Sequence, residues 1–278
     1  MSVNRVVVAH FSPTGGTKKV AMALEDGLLD LSPKYRYQVI TYNYLSPMQR
    51  EQRVPEFTPN DLLVLCYPVY FGRMPSCLEQ WPELKGNGAK AVVCSVYGNR
   101  AIEDAERETI TMLKEHGFEV IASLEAIAEH SQDRTLASHR PDKRDKEQLS
   151  TMARSIIEKV CEADAKHSPL PSFNVDTTTP YRERSKIKAT PKLLDISTCN
   201  ECGRCAEVCP AGIIDRYTHD IIPGMEHKCM GCRACIATCR VGIRGFLCED
   251  NLEIIKQMVN IKELNRARKH NLLKWPSA

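Results

Sequence analysis

The chain has no run of eighteen apolar residues, so no segment of it reads as a membrane-spanning helix. Its first residues, Met1 to Val6, lack the basic, apolar and small-residue regions of a secretory leader and lead directly into a strand-like stretch. A cytoplasmic setting is therefore expected. Aromatic residues make up only 6% of the sequence, while hydrophobic residues reach 42%, enough for a packed core and too many for a disordered chain. The net charge is +3, from about −3 over residues 1–164 and +3 over each of residues 165–198 and 199–278. Nothing in that distribution suggests nucleic-acid binding. Two phosphate-binding signatures are also missing: there is no G-x-x-x-x-G-K-[ST] loop and no G-x-G-x-x-G turn, so ATP and NAD sites are not expected.

Cysteine, by contrast, is abundant. Of thirteen, eight are clustered as Cys199, Cys202, Cys205 and Cys209, then Cys229, Cys232, Cys235 and Cys239. In a reducing compartment these are not a disulfide framework. The spacing C-x2-C-x2-C-x3-C occurs twice, with the second copy thirty residues after the first, and Gly212-Ile213 recurs as Gly242-Ile243. This is a duplicated half, each copy too small to bury a core alone. Three thiolates at such spacing wrap a cuboidal [4Fe–4S] cluster, and the fourth reaches the other cluster. One cluster is thus expected on Cys199, Cys202, Cys205 and Cys239, the other on Cys229, Cys232, Cys235 and Cys209. Structural zinc, the plainer alternative, normally uses two ligand pairs with a longer gap. The remaining cysteines, Cys66, Cys77, Cys94, Cys161 and Cys248, read as small buried hydrophobes.

The first 164 residues alternate apolar runs (Val3–Ala9, Tyr37–Tyr42, Asp61–Cys66, Ala89–Val96, Phe118–Ala128) with helical patterns at Thr17–Asp30, Ala101–His116 and Asp142–Ala163. Continuous apolar strands separated by helices imply a doubly wound, five-stranded parallel sheet. Residues 165–198, rich in proline and basic side chains, read as a linker. The alternative is an arm packed on one domain and anchored at Pro180-Tyr181. A small cysteine domain at 199–247 and a charged C-terminal helical extension at 248–278, with a helix over about 251–270, complete the division.

In this topology ligands lie across the carboxyl ends of the strands. There the chain places Ser12-Pro13-Thr14-Gly15-Gly16-Thr17 after the first strand, suited to a phosphate at a helix N-terminus. After the third comes Pro68-Val69-Tyr70-Phe71-Gly72, and after the fourth Tyr97-Gly98-Asn99-Arg100. A phosphate cradle, aromatic faces and glycines allowing close approach are what FMN requires. His130, after the fifth strand, is a candidate proton donor or a hydrogen-bonded structural histidine.

Residues 197–245 resemble a bacterial two-cluster ferredoxin, with Arg240 where that family usually has a second proline. The first domain resembles flavodoxin in its S-x-T-G-x-T loop and the two loops that would grip the ring. The whole chain, including His130-Ser131 and Arg140-Pro141-Asp142, is similar to flavodoxin–ferredoxin fusion proteins of anaerobes. That resemblance implies that Ser12 to Thr17 hold the FMN phosphate and that Pro68–Gly72 and Tyr97–Arg100 flank the isoalloxazine, with Tyr70 and Tyr97 as stacking candidates. Charge departs from both families. Arg73 and Arg100 stand in the ring loops, and Arg204, Arg233, Arg240 and Arg244 in or beside the cysteine loops. Cations there either raise the potentials or merely offset cluster charge.

A centre taking two electrons joined to centres taking one makes a converter. The expected role is electron transfer between external redox proteins (a ferredoxin, flavodoxin or reductase) and FMN. A reductase acting on a small organic acceptor at the flavin, and a structural or sensory cluster protein, are the alternatives. No nucleic acid or membrane partner is expected, and oligomeric state is left open.

Overall fold

The computed structural model describes residues 3–52, 55–79, 81, 83–184, 189–247, 261–262, 265 and 267–276. Five parallel strands, β1 (Arg5–His10), β2 (Gln38–Asn43), β3 (Asp61–Pro68), β4 (Lys90–Tyr97) and β5 (Glu119–Ile127), run in the order β2-β1-β3-β4-β5. This is the flavodoxin-like doubly wound order. Alternate residues of each strand face opposite layers. Val6 and Val8 of β1 enter one apolar cluster, and Val7 and Ala9 enter the other.

The first layer is built by helices α1 (Gly16–Tyr35) and α4 (Lys143–Ala165). They touch so closely at Gly27 that a Cβ there would overlap the Ser150 backbone. Asp142 caps α4 by accepting from the Asp145 amide, and the Asp145 carboxylate accepts in return from the Asp142 amide. The opposite layer is less helical. It holds the short α2 (Pro47–Gln52), which the sequence pattern did not mark, and α3 (Ala105–Glu115). Among the described residues, the crossover from β3 to β4 has one turn of 3-10 helix at Ser76–Leu78 and no α-helix. Met230, Cys232 and Ala234 of the cysteine region join the apolar cluster on this face.

That region has a small core of its own, Cys209, Ile213, Ile214 and Cys235. Two short helices, α5 (Arg204–Glu207) and α6 (Ala234–Thr238), follow corresponding cysteines of the two repeats. A two-stranded antiparallel pair, β6 (Lys192–Leu193) with β7 (Arg244–Gly245), ties its ends together.

Residues 169–184, inside the stretch expected to be a linker, take the alternative form of a packed arm. The Phe173 amide donates to Val120 O at 2.9 Å, and Arg107 donates to the carbonyls of Asp176 and Thr179. The Tyr181 ring lies under the Arg107 and Arg73 guanidiniums, at 4.2 and 4.9 Å. The anchor at Tyr181 works because its apolar ring covers two cations already fixed by the domain. The C-terminal region also departs from expectation. Most of the helix expected over 251–270 lies outside the described residues, but Leu272–Lys274 form strand β8, which pairs antiparallel with β5. Asn271 secures that return by accepting from the Ile127 amide at 3.0 Å. Closing the exposed β5 edge satisfies backbone groups that a helix would leave unpaired.

Candidate functional site

The loops after β1, β3, β4 and β5 surround a cleft of about 250 Å³ at the carboxyl ends of the strands. Pro13, Thr14, Gly16 and Thr17 line one end. Pro68 to Gly72, Tyr97, Gly98 and Arg100 line the other, with Ala128 to Gln132 along the β5 side. At Gly15 the backbone is left-handed (φ +90°), and no atom stands within 4 Å of where a Cβ would be. α1 begins there with no acidic residue in its first turn, and of its first amides that of Lys18 is taken by Ser12 Oγ while those of Gly16 and Thr17 have no partner among the described residues. Its free amides and positive dipole end suit a phosphate. Gly98 meets a different need, since a Cβ there would overlap the His130 ring, so glycine lets the β4 and β5 loops close together.

Of the expected FMN contacts, three do not line the cleft. Ser12 works within the loop, its Oγ accepting from the Lys18 amide at 2.8 Å. Gly15 supplies the turn. Asn99 is buried, and its amide donates to the carbonyls of Asn265 and Ala267 (2.9 and 2.8 Å) while its oxygen accepts from the Lys269 amide at 3.1 Å. It is a clamp on the C-terminal segment. Arg73, which stands in a loop expected to flank the ring, does not line the cleft. Its guanidinium is paired with Glu108 at 2.7 Å and donates to Arg182 O. The Tyr70–Arg73 turn, closed by two reciprocal 3.0 Å backbone bonds, sends that side chain behind the loop. Arg100 does line the cleft, paired with Glu103 at 2.5 Å. Phe71, in the left-handed region at φ 52° and 36% exposed, is the aromatic at the rim. Tyr70 and Tyr97 are more deeply set, and burial raises both phenols. Glu129, Ser131, Gln132 and Arg182 also line the cleft; the strand-end rule applied to β5 would have found the first three.

His130 stands in the cleft wall. Burial, first, and the Arg233 and Arg100 charges push its imidazole down to about 4. Its Nδ1 accepts from the amides of Gln132 and Asp133, both at 3.2 Å, so the neutral ring carries its proton on Nε2. It is a hydrogen-bond donor at neutral pH, not a group that titrates there.

The eight clustered cysteines form two cavities. Cys209, Cys229, Cys232 and Cys235 line the first, and Cys199, Cys202, Cys205 and Cys239 the second. The grouping exchanges the fourth cysteine of each run. The thiols surround a volume: among the described residues no three His, Cys, Asp or Glu side chains converge to hold a single metal ion. Cys209, Cys232 and Cys235 are buried, whereas Cys202 is exposed. The inner set therefore faces the α/β domain and the outer set faces solvent. Burial raises the Cys205, Cys229 and Cys235 thiols, the last to about 11, and the Arg244 guanidinium pulls all three back.

The inner set abuts the cleft. Tyr70 lines the cleft, and its phenol is raised further by neighbouring Cys232 and Cys77. Arg233 lines the inner cavity and also a side chamber of about 190 Å³ that shares Thr14, Gly16 and His130 with the cleft. It donates to Gln132 O at 3.2 Å. On the far side, Arg50 of α2 donates to Pro210 O at 2.6 Å.

Residues 192–240 match the family model of the 4Fe-4S dicluster domain. No curated protein matches the sequence. Similar solved structures include a flavodoxin from the domain Archaea (15% identity over 56% of this chain and 98% of that one, TM-score 0.38). A flavodoxin of Streptococcus pneumonia TIGR4 gives 16% identity over 56% and 99%, with a TM-score of 0.39. The apo form of the NADH:FMN oxidoreductase EMOB gives 18% over 56% and 90%, with a TM-score of 0.40. The fold assignment rests on strand order, and the cysteine region on the family match. Together they give a flavodoxin-like α/β fold followed by a region that matches the 4Fe-4S dicluster domain, consistent with a flavodoxin–ferredoxin fusion.

Proposed function

We propose that the chain is an iron–sulfur flavoprotein. In this reading the strand-end cleft holds FMN, the two thiol sets hold two [4Fe–4S] clusters, and electrons pass between one-electron redox proteins and the flavin. The observation that carries it is the closeness of the inner cavity to the cleft: Tyr70 of the cleft packs against the apolar cluster that includes Cys232, and Arg233 lines both the inner cavity and the side chamber beside the cleft. When bound, the flavin supplies a two-electron centre and each cluster a one-electron centre. The open turn at Gly15 and the first amides of α1 would receive the phosphate, and Phe71, Tyr70, Tyr97 and Gly98 would bound the ring. The partly exposed outer set faces an external ferredoxin, flavodoxin or reductase, with Arg240 and the exposed Val241 beside it. An acidic partner would be steered by such charge, in a salt-dependent way. A cytoplasmic, anaerobic setting fits exposed clusters.

Anaerobic titration with dithionite, followed by visible and EPR spectra, tests the reading. Uptake of about four electrons, two at flavin and one at each cluster, is expected. Uptake of about two electrons without a flavin signal would overturn the assignment of the cleft.

The side chamber favours a second reading, reduction of a small organic acceptor beside the flavin. His130 would then orient the acceptor through its Nε2–H, and the proton would come from water, because the ring stays neutral. Acceptor-dependent turnover in the absence of any protein acceptor separates the two.

A further inference from the structure

Arg244 lines both thiol cavities. It stands on β7 opposite Leu193 and is 3% exposed. One terminal nitrogen donates to His219 O and the other to Pro191 O at 3.2 Å. The one carboxylate within 4 Å among the described residues, that of Asp220, lies 3.9 Å away and is 53% exposed. Among the described residues the buried Nε–H has no partner. A buried cation with carbonyl partners, a distant counter-ion and an idle donor is costly in a folded chain unless something else compensates it.

Packing does not require it. Thirty residues earlier, the first half of the repeat has Ile214 at the matching place, 7% exposed. The duplicated fold thus fills this position with a hydrocarbon side chain in one half and a guanidinium in the other. What the guanidinium adds is charge, placed between Cys205 of the outer set and Cys229 and Cys235 of the inner set. Four thiolates around a 4Fe–4S core leave a net charge of about −2, which is the counter-charge this cation lacks.

We propose that Arg244 is a positioning residue shared by the two clusters, compensating both ligand sets and holding their two reduction potentials up together. The proposal rests on the two-cluster reading above. With the clusters bound, each would supply a one-electron centre between an external one-electron donor and the next centre, and Arg244 would be the cation held between their two ligand sets. Arg244 moves no proton, since a guanidinium stays charged throughout. Its effect is therefore independent of pH, and it acts on the clusters as a pair, which keeps the step between them nearly level.

The test is EPR-monitored potentiometry of the full chain in three forms: wild type, Arg244→Ile, which installs the residue of the first half, and Arg244→Lys. In Arg244→Ile both midpoints are expected to fall together. The equilibrium constant for one-electron reduction of each drops about tenfold, as for loss of one hydrogen bond to a charged group, which corresponds to 59 mV. Arg244→Lys restores most of the fall. A shift confined to one cluster, or none at either, overturns the proposal. Iron and sulfide content separates the two readings: a wild-type chain with fewer than about eight of each refutes the two-cluster assignment itself. If Arg244→Ile does not load, wild-type protein carrying guanidino-15N arginine decides. Nitrogen coupling in the reduced-cluster signals, lost in Arg244→Lys, supports the proposal, and absence of coupling in wild type overturns it.

Discussion

Arg50→Met should loosen the cysteine domain from the sheet while leaving the α/β domain folded. Arg50 is 8% exposed and has only carbonyl partners among its hydrogen bonds: Tyr44 O at 3.1 Å, Leu45 O at 2.7 Å and Pro210 O at 2.6 Å. The first two lie within the α/β domain; the third crosses to the residue after Cys209. A hydrogen bond from a charged donor contributes about 1.5–3 kcal/mol, and its loss leaves the buried Pro210 carbonyl unsatisfied. Taking about 2 kcal/mol for the crossing bond, the docked state loses about thirtyfold against the undocked one. Native-state hydrogen exchange on the cluster-loaded chain measures this. Amides of residues 229–236, which follow Met230, Cys232 and Ala234 into the apolar face, should exchange about thirtyfold faster. Trp81 donates its indole N–H to the backbone carbonyl of Arg50, which the variant retains, so its fluorescence should not change. Unchanged exchange at 229–236 would refute the argument that this bond holds the two domains together.

Other consequences are equally specific. Asn99→Ala removes three hydrogen bonds to the C-terminal segment, worth together about 2–4 kcal/mol. It should speed proteolysis within 265–276 and leave FMN affinity unchanged; weakened FMN binding without faster cleavage would return Asn99 to the flavin contacts. Gly98→Ala drives a methyl into the His130 ring, an overpacking cost of about 1–3 kcal/mol. The fold should survive with FMN affinity reduced about tenfold or more, and an unaltered dissociation constant would count against the close approach of those loops. His10 and His130 are both pushed down to about 4, each first by burial. Their folded values lie below the unfolded value of 6.5, so the unfolded chain binds more protons between the two. The stability they contribute is complete above pH 6.5 and is lost as pH falls toward 4, by at most about 1.4 kcal/mol per pH unit for each. The urea midpoint should therefore fall between pH 7.5 and 5.5, and less steeply in His130→Gln; equal slopes would remove His130 from the account.

Much of the fold was legible locally. The four buried strands are apolar runs rich in Val, Leu, Ala and Cys, and all five strands lie within two residues of their expected limits at both ends. In β1, β3, β4 and β5 side chains are buried on both faces, whereas the edge strand β2 has none fully buried. Short spacing accounts for three thiols of each run lining one cavity, whereas the fourth reaches the other cavity through the packing of the two halves.

What the sequence could not decide is where long side chains point and which distant segments meet. Arg73 and Arg100 occupy similar places in strand-end loops, yet the Tyr70–Arg73 turn directs one to Glu108 behind the loop and leaves the other in the cleft. Asn99 sits among ring-loop residues but binds backbone more than 160 positions away. The proline-rich stretch became a packed arm because Arg107 and Arg73 offer Tyr181 a cationic face, and the last residues became a strand because β5 had an open edge. Arg244 shows the division most clearly. Sequence alone places four arginines near the cysteines, whereas its burial between the two thiol sets, with one donor unused, is a consequence of how the duplicated halves pack. Spacing along the chain acts through short, nearly rigid connections; charge placement and domain contact depend on the summed packing of residues far apart in sequence, which only the tertiary structure resolves.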